Sequence, residues 1–310
     1  STQSRSSAAS DVYKRQMYLV FDIGGTAIKY CWMNEAGEIF NKQEILSTAV
    51  DSLDKFIETV AKIYHESNRK VEGIALSCPG VIDAANGTIK VVVAYPYLQG
   101  ICLTELISKA CDNIKVSLEN DAKCAGLAEA WIGSAQAYDD AIIVVLGTGI
   151  GGAIIKNKQI HHGAHLFAGE ISTLIVDYDK ETNQVLTWSD IASTTALCKR
   201  AAEALAVTSI DGRRVFELAN NADEVVLEVL KNFCLDIAIQ LYNLQYSYDP
   251  GVICIGGGIS KQPLLIKLIK KAVEIIANET NQLLKPNVTT CKFYNEANLI
   301  GALSYFLSIK

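Results

Sequence analysis

The stretch Met17-Tyr-Leu-Val-Phe-Asp-Ile-Gly-Gly-Thr26 decides the fold of this chain. Its apolar run Tyr18–Ile23 predicts a strand buried on both faces, which is typical of a parallel sheet. The strand ends at Gly24 and Gly25, where the backbone can turn sharply and other groups can approach it closely. The stretch therefore predicts an α/β protein with a functional loop after its first strand.

Side chains around this loop suit phosphate chemistry. Thr26 offers a hydroxyl donor and Lys29 a nearby cation, while glycine N–H groups can bind phosphate oxygens. Asp22 would repel a phosphate, but its carboxylate suits Mg²⁺ held through water, because that ion keeps most of its hydration shell. A tight turn is the alternative interpretation of the loop taken alone.

A second glycine loop, Gly147-Thr-Gly-Ile-Gly-Gly152, follows an apolar strand at 141–146. It matches the dinucleotide pattern Gly-x-Gly-x-x-Gly, which requires a helix after the loop. The following residues 153–160 instead form a β-branched run with a turn at Asn157-Lys158, so the pattern predicts strand, loop and strand. This argues against a nicotinamide-binding site and favours a phosphate-binding hairpin, with a simple turn as the alternative. The candidate phosphate ligands here are Gly147, Thr148, Gly149 and Gly151.

A third loop, Gly256-Gly257-Gly258, follows the predicted strand 252–255. Three such loops after strands favour nucleotide binding over three unrelated turns. The Walker A pattern Gly-x-x-x-x-Gly-Lys-Ser/Thr does not occur, which excludes a P-loop enzyme.

Strands and helices alternate along the chain, and a glycine loop opens each half. This predicts a repeated α/β unit and two lobes with a central cleft. We expect residues 17–120 to form the N-terminal lobe and 121–297 the C-terminal lobe. Residues 1–16 are interpreted as a tail or cloning remnant outside the fold.

Composition narrows the function further. Half of the residues are apolar and the formal net charge is −6, which argues against nucleic-acid binding. The nine cysteines show no Cys-x-x-Cys spacing, which predicts reduced, buried thiols. The first sixteen residues lack the apolar segment of a signal peptide, and no apolar run reaches the length of a membrane helix. We therefore expect a cytoplasmic protein without a membrane partner.

Glu119-Asn120-Asp121 lies between a predicted strand and an alanine-rich helix. Ligands of open α/β sheets bind beyond the carboxyl ends of strands, so Asp121 is a candidate general base and Asn120 a candidate sugar ligand. A helix N-cap is the alternative role for Asp121. Glu170 could accept hydrogen bonds from vicinal hydroxyls, although a solvated surface carboxylate is the alternative.

Together these motifs resemble the ROK family of sugar kinases and sugar-responsive repressors, across residues 17–310. The resemblance rests on the order of seven segments, namely Asp22–Lys29, Ser77–Asp83, Glu119–Ala122, Gly147–Gly152, Gly163–Glu170, Gly256–Ser260 and Asn298–Ala302.

The resemblance implies the actin-like, ribonuclease H-like ATPase fold, with the helix 298–310 packing back on the N-terminal lobe. It further implies a homodimer that transfers the γ-phosphoryl group of ATP, with Mg²⁺, to a hexose hydroxyl, the 6-OH. Asp121 would be the base, Asn120 and Glu170 would bind the sugar, and Gly80 would shape the pocket floor. Glucose, a β-glucoside and an N-acetylhexosamine all remain open as substrates.

The chain departs from many family members after Glu170. Thr173 stands where they have a zinc-ligand His, and their cysteine cluster has no counterpart between Cys124 and Cys198. We therefore expect no structural zinc. Ser189 or Asp190 occupies the approximate place of a second sugar-binding carboxylate, and the sequence does not assign their role.

Two other functions are compatible with the motifs. A ROK-type sugar-sensing regulator needs a helix-turn-helix before the first phosphate motif, where this chain has sixteen residues before Met17. A non-catalytic sugar-binding protein would keep the fold without turnover.

Overall fold

The computed structural model of the protein describes residues 16–67, 69–281 and 283–310. Apart from Gln16, the tail predicted at residues 1–16 lies outside the described residues. The strands are β1 (Met17–Ile23), β2 (Ala27–Met33), β3 (Ile39–Leu46), β4 (Val71–Cys78), β5 (Val81–Asp83), β6 (Thr88–Val91), β7 (Val116–Asn120), β8 (Ala141–Leu146), β9 (Ile150–Lys156), β10 (Gln159–Ile160), β11 (Ile175–Asp179), β12 (Gln184–Thr187), β13 (Val252–Gly256) and β14 (Val288–Thr290). The helices are α1 (Leu53–His65), α2 (Leu103–Ala110), α3 (Asp121–Ile132), α4 (Trp188–Ala192), α5 (Thr194–Ala204), α6 (Gly212–Asn220), α7 (Glu224–Tyr248), α8 (Pro263–Thr280) and α9 (Ala297–Ser308).

The chain forms two compact units. The first comprises the described residues between Gln16 and Trp131 together with Glu296–Lys310, and the second comprises the described residues of Ile132–Asn295.

The first unit contains a five-stranded sheet in the order β3-β2-β1-β4-β7. Strands β1, β4 and β7 run parallel, and β2 and β3 continue the sheet antiparallel. The carboxyl ends of the three parallel strands meet at one edge, because Asp22 pairs with Ser77 and Cys78 pairs with Asn120. This edge carries most of the candidate chemistry of the first unit.

The second unit repeats this arrangement in the order β10-β9-β8-β13-β14. Strands β8, β13 and β14 are parallel, whereas β9 and β10 are antiparallel. The predicted repeat of one α/β unit is therefore confirmed. Each unit has its own apolar core, formed by the buried faces of its sheet and helices.

The helix α3 is buried along nearly its whole length because its side chains are small. Alanines and one glycine occupy most positions from Ala122 to Ala130, so neighbouring elements can approach its backbone. Its residues show no pronounced polar face, unlike α1, whose apolar residues Phe56 and Val60 lie on its inner side.

All nine cysteines are free thiols. Seven are buried, and Cys102 and Cys198 are partly exposed. Among the described residues, no helix is long and apolar enough to cross a membrane.

Candidate active site

The turn from β7 into α3 fixes the Asn120–Asp121 pair. Asn120 caps the helix, because its Oδ1 accepts a hydrogen bond from the backbone N–H of Lys123 at 3.0 Å. Asp121 is the first helical residue, and its Oδ1 accepts from the N–H of Ala122 at 2.8 Å and from Nδ2 of Asn120 at 3.1 Å. The capping role considered for Asp121 thus belongs to its neighbour, and two donors orient the Asp121 carboxylate.

Gly80 lies against the same pair. Its carbonyl oxygen accepts the second hydrogen bond from Nδ2 of Asn120, at 2.9 Å. Its φ of +100° disfavours side chains, and a Cβ here would lie 2.1 Å from the carbonyl oxygen of Val91. The structure therefore requires glycine at this position and brings Gly80, Asn120 and Asp121 together.

Asp22 ends β1 at the same edge of the sheet and is only 5% exposed. Its Oδ1 accepts hydrogen bonds from Oγ of Ser77 at 3.3 Å and from Nδ2 of Asn298 at 3.0 Å. The ammonium group of Lys29, its antiparallel partner on β2, lies 3.7 Å from Oδ2. A buried carboxylate held in this way matches the oxygen ligands that Mg²⁺ prefers.

Cys78, the last residue of β4, lies at this edge of the sheet. Burial raises the pKa of its thiol, and the negative charges of Asp121 and then Asp22 raise that pKa further. Both carboxylates lie near the carboxyl end of β4, because Asp22 pairs with Ser77, and Asn120, the neighbour of Asp121, pairs with Cys78.

The loop after β1 forms a short exposed turn. The N–H of Gly24 donates to the carbonyl oxygen of Ala27 at 3.1 Å, and a Cβ at Gly25 would meet open space. The backbone N–H of Ser47 donates to the carbonyl oxygen of Thr26 at 3.0 Å. Its hydroxyl, 2.9 Å from the carbonyl oxygens of both Gly25 and Thr26, shares its one hydrogen between them. The loop is thus fastened through its carbonyl groups.

The second glycine loop joins β8 and β9 as an antiparallel hairpin, with Leu146 opposite Ile150. The predicted order of strand, loop and strand is confirmed, and the Rossmann alternative is excluded. The N–H of Gly147 donates to the carbonyl oxygen of Gly149 at 2.9 Å, which closes the turn.

A cavity of about 890 Å³ lies in the second unit, beside this hairpin. This volume falls within the usual range of small-molecule sites. Gly147, Thr148 and Gly258 contribute to its wall. The structure therefore brings the second and third glycine loops to one cavity.

The three glycines after β13 have different roles. A Cβ at Gly257 would lie 2.1 Å from the carbonyl oxygen of Leu146, and its φ is +91°. A Cβ at Gly256 would lie 3.0 Å from Sγ of Cys291, whereas Gly258 faces open space. Close packing explains the first two, and only Gly258 lines the cavity.

Other lining residues were missed by the sequence reasoning. Thr194 and Thr195 start α5 and hold the glycine hairpin, through bonds from Thr194 N–H to the Gly147 carbonyl at 2.9 Å and from Thr195 Oγ1 to the Thr148 carbonyl at 2.8 Å. Arg213 and Lys261 add cationic side chains to the wall. The sequence does mark the start of each of these helices by its capping residue, Ser193 for α5 and Asp211 for α6.

Glu170 lies in the second unit, after a loop that packs on β9. A Cβ at Gly152 would lie 2.4 Å from the carbonyl oxygen of Gly169, so two glycines allow this contact. The half-buried Glu170 precedes a short 3-10 turn, Ile171–Thr173, and its carbonyl oxygen accepts from Oγ1 of Thr173 at 3.0 Å. Its backbone is therefore fixed by its neighbours.

The structure gives Asp190 a local structural role. Its Oδ2 accepts hydrogen bonds from the N–H and Oγ1 of Thr187 at 2.9 and 2.7 Å, which forms a capping box at the start of α4. These bonds, first that from the hydroxyl, lower the pKa of the Asp190 carboxyl. Ser189 instead faces the glycine hairpin, because its Oγ lies 3.4 Å from the place of a Cβ on Gly149.

Among residues 16–67, 69–281 and 283–310, no three His, Cys, Asp or Glu side chains form a group that could bind a metal ion. The absence of structural zinc stays a prediction from the sequence.

Comparison with known proteins places the chain among sugar kinases. The β-glucoside kinase of Listeria monocytogenes is 32% identical over 290 residues, covering 93% of this chain and 96% of the relative. The glucokinase of Halalkalibacterium halodurans is 29% identical over 289 residues, covering 84% and 86%. The crystal structure of a ROK family protein from Streptococcus pneumoniae in complex with sucrose has a TM-score of 0.87 at 33% identity, covering 94% of this chain and 98% of that one.

The predicted fold class is confirmed, since the two repeated α/β units have the fold of the actin-like ATPases. A family model described as "ROK family" matches residues 18–309, nearly all of the chain. The match agrees with the order of motifs along the sequence, and this chain belongs to the ROK family.

Proposed function

We propose that this protein transfers the γ-phosphoryl group of ATP to the 6-hydroxyl of a hexose, with Asp121 as the general base. Its enzyme class, hexose kinase, is that of its curated relatives. The observation that carries the assignment of Asp121 is its carboxylate at the start of α3, held by two donors beside Asn120 and Gly80.

Phosphoryl transfer needs positioning and charge stabilisation more than covalent chemistry by the protein. In the proposed mechanism the sugar hydroxyl donates its proton to Asp121 as its oxygen attacks the γ-phosphorus, and ADP leaves. Both amide hydrogens of Asn120 are donated to Gly80 and Asp121, so Asn120 orients the sugar by accepting a hydrogen bond from a hydroxyl at Oδ1. Gly80 leaves space where a side chain would intrude. Asn120 also donates to Asp121, and Gly80 fixes Asn120, so sugar binding and proton transfer depend on the same group of residues.

The cavity of the second unit is proposed to bind the nucleotide. Its size, its glycine wall and the cations Arg213 and Lys261 suit a base, a ribose and phosphates. Gly149, Gly151, Gly256 and Gly257 shape its loops, and the loop of Gly24, Gly25, Thr26 and Lys29 is proposed to contact phosphate. Asp22 would hold Mg²⁺ through water, and that ion would neutralise charge on the phosphates.

Glu170 is proposed as a second sugar ligand. Asp190 is a weaker candidate, because its carboxylate already serves the capping box. Glucose, a β-glucoside and an N-acetylhexosamine are the proposed substrate set. The relatives named for β-glucosides and glucose support the first two.

The test is ATP-dependent product formation, measured by mass spectrometry. The panel contains glucose, mannose, fructose, N-acetylglucosamine, N-acetylmannosamine and cellobiose, with and without Mg²⁺. Asp121→Asn should lower kcat by about 10²–10⁴-fold, because the hydroxyl then loses its proton acceptor. The matched control is Asp54→Asn, at an exposed aspartate in the first turn of α1.

Full activity of Asp121→Asn would show that another group is the base. ATP binding without any product would favour the sugar-binding protein instead. Binding to DNA at low salt would favour the regulator. The net charge of −6 argues against such binding.

The resemblance further supports a cytoplasmic homodimer as part of the proposal. Light scattering of the purified protein at several concentrations should give twice the chain mass of 33.7 kDa.

A further inference from the structure

The helix α9 is locked into the first unit by two glycines. A Cβ at Gly301 would lie 1.7 Å from the carbonyl oxygen of Cys124 in α3, so the two helix backbones touch there. A Cβ at Gly73 on β4 would lie 2.1 Å from the ring of Phe306, near the end of α9. Because backbone atoms cannot move aside cheaply, the Gly301 crossing fixes the position of α9 relative to α3, and the Phe306 ring fills the space that Gly73 leaves on β4.

The first turn of this helix reaches Asp22. Asn298 donates its Nδ2 hydrogen to Oδ1 of Asp22 at 3.0 Å, across 276 positions of sequence. The other two groups on Asp22, Ser77 and Lys29, are its partners on the neighbouring strands. Asn298 therefore connects the carboxylate to an element outside the sheet.

The bond restrains the Asp22 carboxylate. With Oδ1 held by both Ser77 and Asn298, rotation about the Cβ–Cγ bond would break two hydrogen bonds in a site that is 5% exposed. The direction in which Oδ2 points is consequently set by β4 through Ser77 and by α9 through Asn298.

The same helix touches the element that carries the proposed base. Cys124, whose carbonyl oxygen meets Gly301, lies one helical turn after Asp121 in α3. One rigid helix thus contacts Asp22 at its start and α3 one turn later.

We propose that Asn298 is a positioning residue for phosphoryl transfer. It orients Asp22 toward the hydrated Mg²⁺ of the nucleotide, while α9 fixes the spacing between Asp22 and Asp121. The inference rests on the proposed function for the role of Asp22. Residues that orient a metal-binding group typically change metal affinity or activity by about 10–100-fold when they are removed.

The test compares Asn298→Ala and Asn298→Leu with the wild type. Asn298→Leu keeps nearly the size of the side chain but removes the donor without adding a charge beside Asp22, so it addresses orientation without leaving a cavity. Ser308→Ala, at an exposed position on the same helix, is the matched control. Ser77→Ala removes the other donor to Oδ1 and gives a second variant in case Asn298→Ala folds poorly.

Two measurements are made on each protein. The first is Mn²⁺ binding in the presence of ADP, followed by electron paramagnetic resonance of the free ion, which needs no turnover. The second is kcat and KM for the sugar as a function of Mg²⁺ concentration. We expect both Asn298 variants to weaken Mn²⁺ binding and raise the half-saturating Mg²⁺ by about 10-fold or more, with the sugar KM changed less than about threefold.

The possible results distinguish a failure of the positioning role of Asn298 from a failure of the proposed kinase function. Turnover in the wild type with unchanged Mn²⁺ binding and Mg²⁺ dependence in the Asn298 variants would overturn the positioning role alone. An equal loss in kcat, sugar affinity and melting temperature would also overturn it, because that pattern indicates a structural role only. No turnover in the wild type would overturn the proposed function, and the Mn²⁺ measurement would still decide the role of Asn298.

Discussion

At the scale of single residues, Asn120 and Asp121 divide two tasks, helix capping and presentation of the proposed base. A carboxylate that caps a helix uses its oxygen on the backbone N–H of the third residue, and Asn120 makes that bond. Asp121 bonds instead to Asn120 and to its own neighbour Ala122. Replacing Asn120 would therefore change both helix stability and the orientation of the proposed base.

The glycines after β13 give a matched pair of substitutions. Gly257→Ala should lower the free energy of unfolding by about 1–3 kcal/mol, because the residue has a φ of +91° and a Cβ would lie 2.1 Å from the Leu146 carbonyl oxygen. Gly258→Ala should unfold like the wild type, since a Cβ there meets open space, but should raise the KM for ATP through its place in the cavity wall. Urea unfolding and steady-state kinetics measure the two effects, and equal stability of both variants would contradict this account.

At the scale of elements, helix α9 depends on close approach rather than on apolar side chains alone. Gly301→Ala gains up to about 1 kcal/mol of helix propensity. The added methyl would nevertheless stand 1.7 Å from the Cys124 carbonyl oxygen, where overpacking costs about 1–3 kcal/mol. We expect a net loss of stability in thermal or urea unfolding, and no loss for Ser308→Ala on the same helix.

The far end of α9 is tied to the start of the sheet by a small polar network. The ammonium group of Lys310 donates to Oε1 of Glu35 at 2.9 Å and to the hydroxyl of Tyr18 at 2.8 Å, and Tyr18 donates to Glu35 as well. These bonds, first that from Lys310, lower the pKa of Glu35 below its ordinary value of 4.5.

This network predicts a pH-dependent contribution to stability. Because the folded pKa of Glu35 is depressed, its contribution is present above pH 4.5 and is lost as pH falls through the lower folded value. Glu35→Gln should lower stability near neutral pH by at most about 1 kcal/mol, and the difference from the wild type should vanish in acid. Urea unfolding between pH 2 and 7 tests this, and a gap that persists at the lowest pH would contradict it.

The sequence predicts most of the elements that surround the site but few of their contacts. β1 is recognisable because an apolar run and a glycine stop mark it, and β7 and α3 because Glu119-Asn120-Asp121 separates a strand pattern from an alanine-rich helix. The hairpin of β11 and β12 has no such signal, since most of its side chains are exposed.

The contacts on which the site depends are tertiary. The Asn298–Asp22 bond and the Gly301–Cys124 crossing join segments far apart in the chain, and no local pattern encodes them. The cavity residues on α5 and α6 escaped prediction for the same reason, although the caps of both helices are visible in the sequence.

At the scale of the whole molecule, the two units share one strand order but carry different candidate functional loops. In the first unit the parallel strand ends carry Asp22, Asn120 and the start of α3, which suits proton transfer and metal binding. In the second unit the corresponding hairpin carries Gly147 and Thr148 beside a cavity. The repeat therefore supplies two different loop sets on the same framework.

The burial of most thiols has a practical consequence, because only the partly exposed thiols are accessible to an alkylating reagent. Seven cysteines are buried, while Cys198 lines the cavity and Cys102 lies in the other unit. Burial, and then the charge of Asp211, raise the pKa of Cys198, so its reaction with iodoacetamide should be slow near neutral pH and faster in mild alkali. Mass spectrometry should show that MgADP slows labelling of Cys198 severalfold and leaves Cys102 unchanged, whereas equal protection of both thiols would place the nucleotide elsewhere. A single reagent would thus report nucleotide occupancy in the unmodified protein, without an engineered probe.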